Sequence, residues 1–92
     1  MQVKDLEANS KVTDLLVAVT NLEEPRETPT GKQLQEAIIT DSTGQVKLTL
    51  WGEDVMAYSI GDKVKIVSGW CKEYQNELQV TTGKFGKIEK VE

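Results

Sequence analysis

Residues 44–51 constrain the fold of this chain more than any other stretch, because their side chains alternate between apolar and polar. The sequence there is Gly-Gln-Val-Lys-Leu-Thr-Leu-Trp, and Gly52 follows at once. Successive side chains of a strand point to opposite faces, so a strand here buries its valine and two leucines. The opposite, outward face then carries Lys47, Thr49 and Trp51.

The outward position of Trp51 has two interpretations. A large flat ring displayed beside Lys47 suits a ligand that stacks on the ring and carries phosphate groups. In the other interpretation, Trp51 folds over one end of a barrel and covers it. The pattern of this strand is compatible with both a binding residue and a packed cover.

The length and composition of the chain predict one small domain over residues 1–92. A domain of this size buries only about 60–65% of the surface that its unfolded chain exposes. No apolar run is long enough for a transmembrane segment or a secretory signal, so we expect no membrane partner. The single cysteine, Cys71, cannot form an internal disulfide, and we interpret it as a small core filler. These features predict a reducing, cytoplasmic setting.

Histidine is absent from the chain, and this excludes several kinds of catalytic site. Without histidine there is no common general base and no Ser-His or Cys-His nucleophile pair. One cysteine and no histidine also make a zinc site very improbable. The carboxylates are scattered, and none form a pair placed for acid–base chemistry. We therefore expect no enzyme, no metal and no cofactor.

The net charge of −4 argues against a strongly electrostatic partner. Its distribution weakens that argument, because residues 1–30 hold three basic against six acidic side chains. Residues 31–92, which contain both tryptophans, hold eight lysines against nine acids. The local field at a groove matters more than the total charge. We expect a modest electrostatic contribution to any binding.

The remaining sequence divides into four further strands and their connections. A β-prone run at residues 11–22 predicts the first strand, and the polar segment 23–32, which contains both prolines, predicts a loop. The second strand follows at Gln33–Thr40, and the turn Asp41–Gly44 precedes the alternating strand. After the third strand we predict a short helix at Glu53–Ser59, a fourth strand Val64–Trp70, a polar loop Cys71–Glu77 and a fifth strand Leu78–Thr82.

Five strands with a short helix between the third and fourth have the order of an oligonucleotide/oligosaccharide-binding (OB) barrel. We therefore predict an all-β fold, a five-stranded Greek-key OB-fold barrel. A closed sheet also removes exposed strand edges in so short a chain. An open antiparallel sandwich and an SH3-like barrel are the alternatives, and the position of the helix favours the OB barrel.

The other aromatic residues lie at strand ends or in loops. Regular alternation from Val64 places Trp70 in the core, but a bulge at Gly69 would turn it outward. Tyr74 lies in a polar loop with nothing obvious to pack against, so it is a candidate binding residue. Phe85 is an additional candidate, although core packing is the better interpretation. Tyr58, in the predicted helix, is interpreted as packing.

Basic residues accompany these rings. Each of them alone is ordinary solvated surface, but together they flank the loops and the strand face through which OB barrels grip single strands. There they would contact phosphates while the rings stack on bases. The candidates are Lys47, Lys72, Lys32, Arg26 and Lys84.

Three segments resemble a known family. They are the run Asp41–Gly52, the run Ile60–Ile66, and the pair Gly69-Trp70 with an aromatic residue four positions later. Together they resemble the archaeal single-stranded-DNA-binding OB barrels, which include replication protein A domains and simple single-stranded-DNA-binding proteins. The resemblance covers roughly residues 3–91, and the stretch from Asp41 to Trp51 is its most specific part.

The resemblance implies that three rings stack on bases, and these are Trp51, Trp70 and Tyr74. Tyr74 stands where a phenylalanine is common in the family, a change that keeps the ring. The chain lacks the long tail of the simple members and the several barrels of the larger ones. We expect either a minimal protein or one module of a larger replication protein A-like chain, and the closing segment favours the second because it resembles the end of a barrel module.

The leading functional hypothesis is sequence-tolerant single-stranded-DNA binding in replication, recombination or repair, with a nucleoid-associated location. The alternative is an interaction module of a replication protein A-like complex, without strong nucleic-acid binding. RNA is a third candidate ligand, because nothing in the sequence recognises a 2′-hydroxyl. The expected partners are single-stranded DNA and replication or repair proteins or further OB domains.

Overall fold

The computed structural model describes residues 1–91, and at residues 83–85 it describes the backbone alone. The strands are β1 (Ser10–Leu22), β2 (Arg26–Glu27), β3 (Gln33–Asp41), β4 (Gly44–Trp51), β5 (Lys63–Tyr74) and β6 (Glu77–Val91). Two single 3-10 turns, Val3–Asp5 and Gly52–Asp54, accompany them. No helix within residues 1–91 has the length and apolar character needed to cross a membrane.

Five of the strands close into a barrel. Neighbouring strands follow the order β1-β5-β6-β4-β3, and β3 pairs with β1 to complete the circle. All these pairs are antiparallel except β4 with β6, which is parallel. The short β2 adds to β3 on the outside of the circle. The predicted all-β, five-stranded barrel is confirmed.

The barrel interior is filled by the inward side chains of every strand. Period-two alternation in β4 buries its aliphatic residues, as the sequence predicts. Thr49, expected to be displayed on the opposite face, is also buried. Cys71 is fully buried among the aliphatic side chains, and burial raises the pKa of its thiol. The buried cluster comprises Leu6, Val12, Leu15, Val17, Val19, Ala37, Ile39, Val46, Leu48, Leu50, Val64, Ile66, Cys71 and Val80.

The helix predicted between the third and fourth barrel strands is wrong. The backbone makes one 3-10 turn at Gly52–Asp54, and Val55 is already extended. Met56 then takes a left-handed conformation with φ 64°, which no α-helix tolerates. The buried side chain of Gln35 holds this segment, since its Oε1 accepts the Met56 N–H at 2.9 Å. An isolated helix this short has little intrinsic stability, so tertiary contacts such as this one can override it.

The polar loop predicted at Cys71–Glu77 is also wrong. β5 continues to Tyr74 and β6 begins at Glu77, which leaves a turn of only two residues. Gln75 and Asn76 both adopt positive φ, 51° and 64°, as in a type I′ hairpin. The polar side chains around the turn reflect a hairpin tip exposed to water rather than the absence of a strand.

The N-terminal segment closes one end of the barrel. The Asp41 carboxylate accepts hydrogen bonds from the Val3 and Thr43 backbone N–H groups, at 2.8 Å and 2.7 Å, and from the Thr43 hydroxyl. These contacts lower the pKa of Asp41, with the Thr43 hydroxyl as the largest cause. The turn between β3 and β4 thereby holds the N-terminal segment in place, and Leu6 is buried in the core.

Candidate nucleic-acid interface

Strands β4, β6 and β5 lie side by side and present one continuous outer face. Their registers align side chains across the strands in two rows, Lys47–Gln79–Lys72 and Thr49–Thr81–Trp70. Trp51 extends this face at one end of β4, and Tyr74 extends it at the opposite end of β5. We call this surface the ring face, and it comprises Lys47, Thr49, Trp51, Trp70, Lys72, Tyr74, Gln79 and Thr81.

Trp70 faces outward because the side-chain alternation of β5 reverses at an irregularity in its pairing with β6. The register of β5 against β6 shifts between Val67 and Gly69, where Ser68 has a left-handed φ of 57°. Val67 pairs with Lys87 and Gly69 with Thr82, so the extra residues of this irregularity lie on β6. In β5 the alternation reverses at this point, because Ile66 and Gly69 are both buried. Trp70 is therefore 42% exposed, while Cys71 points into the core. The outward orientation that a bulge at Gly69 allowed is confirmed, and the interpretation of Trp70 as a core residue is wrong.

Trp51 is oriented by a hydrogen bond to the neighbouring strand. Its Nε1 donates to Oγ1 of Thr81 at 3.1 Å, and the side chain is half-buried. Leu34 lies opposite Trp51 in the β3–β4 register and is buried, although it lies outside the core cluster. The tryptophan therefore contributes packing on the outer surface while part of its ring stays accessible.

Tyr74 is the most exposed of the three candidate rings. It is the last residue of β5, lies opposite Glu77 across the hairpin and is 59% exposed. Tyr58, in contrast, packs against the core, and its hydroxyl donates to the Ile88 carbonyl at 3.2 Å. The packing interpretation of Tyr58 is confirmed, and Tyr74 has no comparable packing role.

Two of the predicted cations are held by carboxylates. Lys47 Nζ lies 3.1 Å from Oε2 of Glu77, and Arg26 Nη2 lies 3.2 Å from Oε1 of Glu36. The hydrogen bond to Glu77 is the largest cause that raises the pKa of Lys47. Glu36 adds a smaller coulombic contribution in the same direction.

The other predicted cations have different surroundings. Lys72 is exposed on the ring face opposite Gln79. Lys32 lines a surface cleft of about 550 Å³ together with Trp51 and Glu53, which places it at the margin of the ring face. The side chains of Lys84 and Phe85 lie outside the described residues, so the predictions for them stay predictions.

The structure adds two residues that the sequence interpretation missed. Thr81 orients Trp51, and period-two alternation around buried Val80 could have placed it outward. Lys11 is exposed and lies opposite Trp70 in the β1–β5 register, so a lysine and a threonine flank that ring. Only the strand pairing reveals Lys11, because it lies far from Trp70 in sequence.

The geometry can support stacking but offers no metal centre among the described residues. Within residues 1–91, no three or more His, Cys, Asp or Glu side chains cluster in a way that could hold an ion. The ring face combines three accessible aromatic rings with hydroxyl, amide and ammonium groups. Such a surface can bind flat, phosphate-bearing ligands.

Comparison with known proteins finds a clear relative in sequence. The chain is 33% identical over 90 residues to the single-stranded DNA binding protein Ssb of Saccharolobus solfataricus. The match covers 95% of this chain and 61% of the relative, so the chain spans about three fifths of the relative's length. No protein-family model matches the chain.

Solved structures agree in fold. A crystal structure of a replication protein A domain from Methanococcus maripaludis superposes with a TM-score of 0.81 at 24% identity, covering 100% of this chain and 97% of that domain. The OB domain of a Methanosarcina mazei protein gives a TM-score of 0.77 at 26% identity, covering 97% of this chain and 79% of that one. The sequence relative and the shared OB fold together support the assignment of this chain to the archaeal single-stranded-DNA-binding OB-fold family, which includes Ssb and the replication protein A domains.

Proposed function

We propose that the protein binds single-stranded DNA with little sequence preference through its ring face. The observation that carries this proposal is the outward position of Trp70, which a bulge places beside the Trp51–Thr81 pair. The name of the S. solfataricus relative supports the same ligand.

Stacking supplies most of the binding free energy in this proposal. Trp51, Trp70 and Tyr74 each offer a ring to one base, and every base presents a flat face whatever its identity. A stacked base contributes about 1–3 kcal/mol. Three such contacts total about 3–9 kcal/mol, against about 8 kcal/mol for micromolar affinity, so the rings can supply most of that affinity.

Phosphate contacts supply a smaller, salt-dependent contribution. Lys47 and Lys72 project from the ring face, and Lys11, Lys32 and Arg26 lie at its margins. Each neutralised phosphate of a single strand steepens the salt dependence of log K by about 0.7. Lys84 belongs to the same proposed set on sequence grounds alone.

The proposed setting is replication, recombination or repair, where single strands become exposed in the nucleoid. Replication or repair proteins, or further OB domains, are the proposed protein partners. The proposed chemistry is binding alone, without a catalytic step. A family of archaeal proteins with this fold and this ligand is the support for that setting.

The direct test is titration of tryptophan fluorescence with an oligo-dT of about a dozen nucleotides, a length in the range that OB barrels occupy. Both tryptophans are proposed to stack, so we expect strong, saturable quenching. Trp51→Phe and Trp70→Phe each leave one tryptophan and keep an aromatic ring, so they assign the quenching to each position. A flat titration with folded wild-type protein contradicts the proposal.

Alanine variants measure the contribution of each ring. Trp51→Ala and Trp70→Ala each remove one stacking partner and should each weaken binding by about 1–3 kcal/mol, roughly 5- to 150-fold. Leu16→Ala is the matched control, because Leu16 is an exposed apolar residue of β1 away from the ring face. Competition with an oligo-rU of equal length distinguishes DNA from RNA as the preferred ligand.

A protein-interaction module is the second candidate function. The observation that favours it is the pairing of Lys47 and Arg26 with Glu77 and Glu36, which leaves little positive charge for phosphates. A ring face used for protein contact would keep its exposed aromatic residues and give no quenching with oligonucleotides. The same titration therefore separates the two functions.

A further inference from the structure

The ring face carries its own acids beside its cations. Glu77 lies at the start of β6, directly opposite Tyr74, and its carboxylate reaches Lys47 at 3.1 Å. Glu36 lies opposite Thr49 in the β3–β4 register, and its carboxylate reaches Arg26 at 3.2 Å. Both carboxylates therefore form ion pairs with side chains that the proposed function assigns to phosphate binding.

We propose that Glu77 and Glu36 are intramolecular competitors of the nucleic-acid phosphate, and that they set the affinity and the salt dependence of binding. This inference rests on the proposed function, because it concerns the same face and the same ligand. It assigns a role to two acidic residues that neither stacking nor phosphate contact requires.

The two ion pairs are weak enough for a phosphate to displace the carboxylate. Each pair has one well-exposed member, because the Glu77 side chain is 60% accessible and the Arg26 side chain 64%, while Lys47 and Glu36 are more covered. Exposed pairs are weak, and a phosphate is an equally good partner for a lysine or an arginine. The carboxylates can therefore be displaced, and displacement reduces the net gain from each phosphate contact.

The competition also changes the ion exchange that accompanies binding. When Lys47 contacts a phosphate, the strand releases about 0.7 of a condensed counterion. The displaced Glu77 carboxylate then attracts a cation from solution, which offsets that release. A paired lysine therefore adds little to the salt dependence, whereas Lys72, exposed opposite the neutral Gln79, adds its full contribution.

The test replaces one carboxylate at a time. Glu77→Gln keeps the shape of the side chain and frees Lys47, so binding of a fluorescein-labelled oligo-dT should tighten about two- to five-fold at low salt. The slope of log K against log salt should steepen by about 0.7. Glu36→Gln should act similarly through Arg26, and the double variant should show both changes.

Glu89→Gln is the matched control. Glu89 pairs with Lys87 at 2.8 Å on the same strand, opposite the beginning of β5 and away from the ring face. It changes the net charge by the same amount and also frees a lysine. Binding and salt slope should therefore move much less than in Glu77→Gln, and thermal melting should verify that every variant is folded.

The outcomes separate this inference from the proposed function. If wild type binds and Glu77→Gln behaves like Glu89→Gln, the competition is overturned and the binding function stands. If wild type and Glu77→Gln both fail to bind, the binding function and the competition are overturned together. Selective tightening with a steeper slope in Glu77→Gln supports both.

Discussion

Trp51 and Thr81 are joined by a hydrogen bond from the indole Nε1 to the hydroxyl Oγ1, 3.1 Å long, across the parallel pair of β4 and β6. Thr81 also lies directly opposite Trp70 on β5. A single small side chain thus stands between the two tryptophans and fixes one of them. The spacing of the proposed stacking surface depends on it.

Thr81→Val should weaken oligonucleotide binding without unfolding the protein. Valine keeps the shape of the threonine but cannot accept the indole N–H, so Trp51 loses its fixed orientation. A hydrogen bond of this kind contributes about 1 kcal/mol, which corresponds to roughly fivefold weaker binding. Titration of labelled oligo-dT measures the effect.

Thr82→Val is the control for that substitution. Thr82 is the next residue of β6, and the Trp51 indole N–H donates to the hydroxyl of Thr81 instead. Equal losses in the two variants would show that the threonines act through strand propensity rather than through the tryptophan.

Gly69→Ala should destabilise the barrel because the bulge has no room for a methyl group. An added Cβ would lie 3.0 Å from the Thr81 carbonyl oxygen and 3.0 Å from Cγ2 of Ile66. The backbone oxygen cannot move easily, so we expect a loss of about 1–3 kcal/mol in the free energy of unfolding. Chemical denaturation followed by circular dichroism measures it.

Ser68→Gly is the informative comparison, since it alters the same bulge in the opposite direction. Ser68 has a left-handed φ of 57°, which costs an L-residue about 1–2 kcal/mol. Glycine relieves that cost, so this variant should be as stable as wild type or more stable. Destabilisation by both substitutions would mean that the bulge conformation is not the cause.

Much of the barrel could be predicted from local pattern, because β-prone runs mark β1 and β3 and alternation over residues 44–51 marks β4. The alternation in β4 placed Trp51 outward, and the order of strands gave the closed barrel. The failures lie where tertiary contacts override local preference. Gln35 holds the segment after Gly52 out of a helix, and two left-handed residues shorten the hairpin after Tyr74.

The sequence could predict which aromatic residues belong to the candidate site, but not how they are oriented or which residues of other strands lie beside them. The sequence offered both orientations of Trp70, and the bulge at Ser68 decides between them. The ion pair of Lys47 with Glu77 and the proximity of Lys11 to Trp70 both join residues of different strands. The strand register brings these residues together, and a local sequence pattern does not predict that register.

Acid should destabilise the protein through Asp41. Its folded-state pKa lies below the ordinary value of 3.8, so the unfolded chain takes up the proton first as the pH falls. The stabilisation is fully present above the unfolded pKa and is lost as the pH falls through the folded pKa. Asp41→Asn should therefore flatten the decline of unfolding free energy below about pH 4.

Thr43→Val tests the cause of that shift. The Thr43 hydroxyl is the largest contributor that lowers the pKa of Asp41, and valine removes it. The acid-induced loss of stability should then be smaller, because the folded pKa moves back toward the unfolded one. Denaturation curves at a series of acidic pH values measure both variants, and an unchanged pH profile in Thr43→Val would contradict the assignment.

Lys11→Gln should weaken single-strand binding even though Lys11 belongs to the most acidic part of the sequence. The β1–β5 register places it opposite Trp70, where a strand stacked on that ring would bring a phosphate close to its ammonium group. Loss of one phosphate contact should reduce the salt slope by about 0.7.

Lys63→Gln is the matched control, because Lys63 lies on the same pair of strands, opposite Ala18 at the far end from Trp70. Labelled oligo-dT titrations over a series of NaCl concentrations compare the two variants. Equal slopes in Lys11→Gln and Lys63→Gln would remove Lys11 from the interface and confine the phosphate contacts to the other lysines of the ring face and its margins.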